Sequence, residues 1–225
     1  MSGIVGVFNL NVEPVRRETL ASMCDAINHR GPHGRGLWSD GPVGFGHVLL
    51  HTTEESLHEN QPFSLDGKTW ITADARIDDR AGLIDLLKSH VHSAEKLEEA
   101  TDVCLLLHAY HVWGVDCVNY LIGVFAAAIW DGREHQLVCL RDQIGIKPFY
   151  YAHNSKCIAF ASEVKSILAS GLIPQRIYEP RIADFLVTQL EGIDKTCTFF
   201  EGIVRLPPAH RMVCSQHQIK TDEYW

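Results

Sequence analysis

Four short apolar runs follow one another between residues 123 and 162: GVFAAAIWD, HQLVCLRD, FYYAH and CIAFAS, joined by turns such as DGRE. Their length and their aliphatic and aromatic content predict strands in series. An earlier group of strands is read at 2–9, at 43–50 (VGFGHVLL) and at 68–77 (KTWITADARI). Helices fall between and after the groups. Residues 15–29 set Leu20, Met23, Ala26 and Ile27 at helical spacing, and 78–90 place Leu83, Leu86 and Leu87 on one face behind Asp78 or Asp79 as N-cap. Residues 101–114 open on Thr101 or Asp102 and stop at Gly114, and 162–171 end at Gly171. Glycine-rich RGPHGRG (30–36) reads as a loop closing the first helix, and TTEESLHENQP as a polar loop. Strands in two groups, with helices between, predict stacked antiparallel sheets with helices outside rather than a regular βαβ alternation.

After Gly171 the texture changes. LIPQRIYEP is a Pro-flanked linker, RIADFLVTQL a short helix, and the remainder to Trp225 a hairpin-like tail. The expected division is a domain over 2–170 and a connector over 171–225. At 225 residues, 46% hydrophobic and 21% charged, the chain has ample core. A net charge of −8 without a Lys/Arg cluster argues against nucleic-acid and anionic-membrane surfaces. The N-terminus has no basic region before an apolar run, and no apolar stretch approaches ~18 residues, so a cytoplasmic protein is expected. Seven cysteines are scattered and never CxxC, which predicts reduced, packed thiols. Among thirteen histidines, the groups His47/His51/His58, His90/His92 and His108/His111 match neither HExxH nor a finger spacing, so no metal site is expected.

The chain opens MSGIVGVFNL. Once Met1 is removed, the free amine of Ser2 would lie beside its own hydroxyl, with a pKa of roughly 7.7–8.0 suited to a general base. The alternative is the first residue of a buried strand at a tethered terminus.

Several stretches together resemble the N-terminal glutaminase domain of asparagine synthetases, the class II (N-terminal nucleophile) glutamine amidotransferases. They are SGIVGVF (2–8), HRGPHGRG (29–36), Gly46-His47, Gln61-Pro62, Thr101-Asp102, LIGVFAAAIWD (121–131), RDQIGIKPFYY (141–151), FASEVKSIL (160–168) and the tail FEGIVRLPPAH…YW. The resemblance implies an α+β fold of the four-layer αββα Ntn-hydrolase type, two mainly antiparallel sheets between helices. It also implies a catalytic address at Ser2, where family members carry the nucleophilic Cys. The oxyanion positions fall on Asp74 and Ala75, in an Asp74-Ala75-Arg76 run where the family has Asn-Gly-Glu. The clamp for the substrate carboxylate falls on Leu49 where the family has Arg. The remaining pocket wall is carried by Leu50, Thr52, Thr53, Arg76 and Arg30, and the acid for the substrate amine by Asp102, which reads equally well as a helix cap.

These departures bear on chemistry. An ionised Asp accepts but does not donate, and losing one oxyanion donor costs roughly 3–4 kcal/mol of barrier. A negative charge about 4 Å away adds repulsion of order 4 kcal/mol at an effective dielectric of ~20. Asp74 and Arg76, two apart on a strand, share a face and are expected to pair and fill the pocket. Joint loss of nucleophile, clamp and donor favours a degenerate domain that scaffolds or gates an ATP-dependent amide-forming synthetase domain, in the same or a separate chain. The alternative is a working glutaminase with Ser2 as nucleophile, supplying ammonia for asparagine synthesis. No SGGxDS motif occurs, so ATP and Mg are expected only in that further domain and no cofactor in this chain. Glutamine and a second copy of the chain stay open as partners.

Overall fold

The computed structural model describes residues 1–91, 97–187 and 194–225. With strands numbered along the chain, one sheet runs in the order β10 (Ile203–Arg205), β8 (Tyr150–His153), β9 (Cys157–Ala161), β1 (Gly3–Asn9), β3 (Val43–Leu49) and β2 (Gly34–Asp40). The other runs β12 (Ile219–Glu223), β11 (His210–Cys214), β7 (Gln136–Arg141), β6 (Gly123–Asp131), β5 (Thr69–Ile77) and β4 (Phe63–Ser64). The strand pairs in both sheets are antiparallel.

Alternation along each strand explains the layering. On β1, Ile4 and Phe8 face the second sheet, while Val5 and Val7 face outward against Leu20 and Met23 of α1 (Arg17–Ala26) and Ile167 of α4 (Val164–Ala169). On β6, Ala126, Ala128 and Trp130 face the first sheet, and Ala127 and Ile129 lie against α2 (Arg80–Lys88) and α3 (Asp102–Trp113). The result is helix, sheet, sheet, helix, in agreement with the expected αββα sandwich. The inner core is aromatic, with Phe149 and Phe160 stacked at 5.4 Å and Phe45 meeting Phe160 edge-on at 5.6 Å. Gly6 is required there, because a Cβ would stand 2.2 Å from the Phe160 ring.

The capping residues behave as their chemistry predicts. Asp79 accepts from the Gly82 N–H at 3.1 Å and Thr101 from the Cys104 N–H at 3.2 Å, and Gly114 ends α3 at φ +57°.

Other expectations need correction. The glycine-rich loop is half strand: β2 begins at Gly34, since an extended backbone paired to β3 tolerates glycine when a neighbour sits close, and a Cβ on Gly36 would stand 1.8 Å from the Gln61 carbonyl oxygen. The first helix stops at Ala26 and continues as a 3-10 turn over Asn28–Arg30. The two strand groups do not map onto the two sheets, since β4 and β5 join β6 and β7 while β8 and β9 join β1. Within residues 171–225 the expected hairpin-like tail is β11 and β12, which extend the second sheet beside β7, while β10 extends the first beside β8. The late helix α5 (Glu179–Leu186) starts on Glu179-Pro180, and the expected helical residues 188–190 lie outside the described residues, as does His92. All seven cysteines are free thiols, and among the described residues no helix is long and apolar enough to cross a membrane.

Candidate functional site

A cavity of about 310 Å³ opens where the start of β1 meets β5 and the loop following β3. Its wall brings together Ser2, Leu50, Thr52, Thr53, Asp74, Ala75, Arg76 and Asp102 of the sequence-predicted set, together with Met1, Glu59, Ile146 and Lys147. Two predicted residues lie off that wall. Leu49 is buried in β3 against Gly34, and the next residue, Leu50, takes the cavity position, because one step along a strand reverses the face. Arg30 stands behind the wall.

Ser2 is 7% exposed, and its Oγ accepts the Leu50 N–H at 3.1 Å. Arg30 holds the same residue from the other side, its Nε donating to the Ser2 carbonyl at 3.0 Å and its Nη1 to Glu163 at 3.1 Å. The Met1 amine has its pKa lowered by burial. Thr52 and Thr53 are fixed by backbone N–H bonds to the Ser56 hydroxyl at 3.0 and 3.1 Å, which shapes the loop over the cavity. Gln61 grips β5 by both backbone groups of Ala73, accepting its N–H at 2.6 Å and donating to its carbonyl at 2.8 Å. Beside it, burial raises the pKa of Glu59, whose carboxylate accepts from Gln61 at 2.7 Å.

Asp74 and Arg76 share the cavity face of β5 but do not pair. Asp74 binds Lys147 instead, Oδ1 to Nζ 2.6 Å, with Arg30 Nη2 3.7 Å from Oδ2, while Arg76 turns outward to Asp78 at 3.1 Å. The expected pairing fails because Asp74 is buried and Arg76 exposed, so the acid takes the cation that is already desolvated beside it. Lys147 therefore offsets most of the negative charge that Asp74 brings to the cavity.

Sequence reasoning missed Lys147, whose signal lay in RDQIGIKPFYY. There the Asp142 carboxylate accepts the Ile146 and Lys147 N–H groups, both at 2.9 Å. The buried Arg141 guanidinium donates to the carbonyls of Lys147 and Gly145 at 2.9 Å each and to that of Leu206. Gly145, at φ +69°, supplies the left-handed residue. The charged pair thus builds a turn that projects Lys147 into the cavity.

For Asp102, Thr101 performs the capping. The Asp102 carboxylate on the cavity wall is engaged by Arg80 and by the Ile77 N–H at 3.1 Å. Among the described residues no group of three or more His, Cys, Asp or Glu side chains could hold a metal ion.

His47, fully buried on β3, has its pKa pushed down to about 3 by desolvation. A base depressed in the folded state contributes stability above its unfolded pKa of about 6.5, and that stability is lost as pH falls. Relative to His47→Phe, the protein is expected to lose about 1.4 kcal/mol of unfolding free energy per pH unit between about 6 and 3, measured by urea denaturation.

Comparison with known proteins agrees with this architecture. A family model described as glutamine amidotransferase domain matches residues 1–225. The chain is 30% identical over 232 residues to asparagine synthetase [glutamine-hydrolyzing] 3 of Bacillus subtilis (strain 168), covering all of this chain and 36% of that protein. It is 31% identical over 221 residues to amidase chry2 of Gibberella zeae, covering 92% and 30%. The putative asparagine synthetase [glutamine-hydrolyzing] 2 of Methanocaldococcus jannaschii is 28% identical over 241 residues, covering 100% and 46%. The chain thus spans about a third to a half of these relatives' length. Glutamine phosphoribosylpyrophosphate amidotransferase from B. subtilis superposes with a TM-score of 0.70 at 14% identity, over 99% of this chain and 49% of that one, which is a likeness of fold. With a family match running the whole length of the sandwich, the chain belongs to the glutamine amidotransferase domain family.

Proposed function

We propose that this chain is an amidotransferase-type domain that has lost efficient glutaminase chemistry and serves as the scaffolding or regulatory partner of an ATP-dependent, amide-forming synthetase domain. The observation that carries this reading is the Asp74–Lys147 pair on the cavity wall, where the family resemblance calls for a neutral oxyanion donor. The ion pair keeps Asp74 ionised, an acceptor with one oxygen committed to Lys147 and no proton to donate. Three further features support the same reading. Leu50, which takes the cavity position beside Leu49, brings no cation there, Arg80 engages the Asp102 carboxylate that a substrate amine would need, and Ser2 offers a hydroxyl where the family places a thiol. In this reading residues 171–225 lead toward the synthetase domain, ATP and Mg act there and not here, and the whole works in the cytoplasm.

The experiment is ammonia release from glutamine after Met1 removal has been verified by mass spectrometry. The unmodified chain and Ser2→Cys are both expected to be silent. A version with Ser2→Cys, Leu50→Arg (the position that faces the cavity), Asp74→Asn, Ala75→Gly and Arg76→Glu is expected to recover turnover. Ammonia from the unmodified chain would instead establish the second reading, a Ser2 glutaminase feeding asparagine synthesis, which is favoured by the presence of Ser2 on the cavity wall.

A further inference from the structure

Two cations and one carboxylate meet at the cavity wall, Asp74 and Lys147 lining it and Arg30 standing behind them. The side chains of Lys147, Arg30 and Asp74 are only 10%, 11% and 7% exposed. Lys147 Nζ lies 2.6 Å from one Asp74 oxygen, and Arg30 Nη2 lies 3.7 Å from the other. That second oxygen and Arg30 Nη2 are both buried without a hydrogen-bond partner. The Arg30 guanidinium is held independently of Asp74 by Ser2 and Glu163, and the Lys147 backbone by the turn that Arg141 and Asp142 build, which aims the side chain at Asp74. The fold thus fixes the Arg30 guanidinium and the base of the Lys147 side chain, and Asp74 is the group both cations face.

Geometrically, the Asp74 carboxylate is disposed as a bound ligand would be, with one oxygen on an ammonium and the other facing a guanidinium. We propose that Lys147 and Arg30 form a receiving subsite for a monocarboxylate, whose built-in occupant in this chain is the side chain of Asp74. The consequence is a cavity closed to carboxylate-bearing ligands at this end for as long as Asp74 is in place. Multiply charged anions are disfavoured by Glu59 and Asp102 on the same wall. The subsite follows from charge placement and holds whether or not the cavity retains hydrolytic chemistry.

Chemical rescue tests it. Asp74→Ala removes the occupant and leaves room for its equivalent in solution, so acetate is the probe. At 0.1 M acetate the Tm of Asp74→Ala is expected to rise by about 3–5 °C relative to 0.1 M chloride, as for a site with a Kd near 10 mM. The wild-type chain and the double variant Asp74→Ala/Lys147→Met are expected not to respond. An equal rise in chloride, or a rise that survives loss of Lys147, would overturn the proposal, as would no rise at all. Should Asp74→Ala not fold unaided, recovery of folded protein on refolding in acetate but not in chloride supports the subsite, and failure in both overturns it. Ammonia release plays no part in these readouts, so the two proposals fail separately.

Discussion

Asp74→Asn will lower the free energy of unfolding by about 3–5 kcal/mol, and Lys147→Met by somewhat less, because each leaves the other group's charge buried and uncompensated. The order of the two follows from Arg30. Without Asp74, two desolvated cations face each other across the vacated position; without Lys147, Asp74 keeps the guanidinium 3.7 Å away. The double variant Asp74→Asn/Lys147→Met removes both charges of the close pair and should recover to within about 1–2 kcal/mol of the parent, a strongly non-additive cycle. Urea denaturation of the four proteins measures it. Additive losses would mean that the two side chains do not interact in solution, and the reading of the cavity as internally neutralised would fall with them.

The second large effect is expected at Arg141, which never touches the cavity. Its guanidinium donates to three backbone carbonyls, of Gly145, Lys147 and Leu206, in a buried setting. Arg141→Met would orphan these acceptors at about 1–3 kcal/mol each, partly relieved where water enters, so a loss of about 4 kcal/mol is expected. The loss should not be uniform. Hydrogen exchange at Ile146 and Lys147, whose N–H groups are protected by Asp142, is expected to accelerate more than exchange in β1 or β6. Uniform acceleration would mean that Arg141 supports the sheets at large and not the turn that delivers Lys147.

How much of this was legible in the residues depends on how local the controlling physics is. GVFAAAIWD reads as a strand and is β6 residue for residue, because an unbroken apolar run between turn residues has few other solutions. Thr101, Asp79 and Gly114 mark helix ends through contacts within four residues. By contrast, GRGLWSD has no apolar alternation of its own and becomes β2 through its partner β3. Sheet membership was not legible at all for β4, β5, β8 and β9, since pairing choices are made between segments far apart in the chain.

The same division runs through the site. Ser2, Leu50, Thr52, Thr53, Asp74, Ala75, Arg76 and Asp102 were named from motif register and do converge on one cavity. Lys147 was missed even though its motif was recognised, because the turn's charged residues looked sufficient as structure. Only three dimensions show that Arg141 and Asp142 exist to aim the residue after them. The Asp74–Arg76 expectation used strand periodicity correctly and failed on burial, which no pattern of two residues encodes.

The place of β1 in the middle of its sheet has a temporal meaning. Its neighbours are β3 on one side and β9 on the other, with Val5 opposite Ala161 and Phe8 opposite Ile158. During synthesis β1 therefore stays unpaired on one edge until residues 157–161 have been made, and contacts of such long sequence separation are also the slow ones to close. Once the sheet is complete, Ser2 is 7% exposed and hydrogen-bonded on both its hydroxyl and its carbonyl. Ser2 thus reaches its buried, doubly held position only when the second half of the sequence has closed the sheet around it.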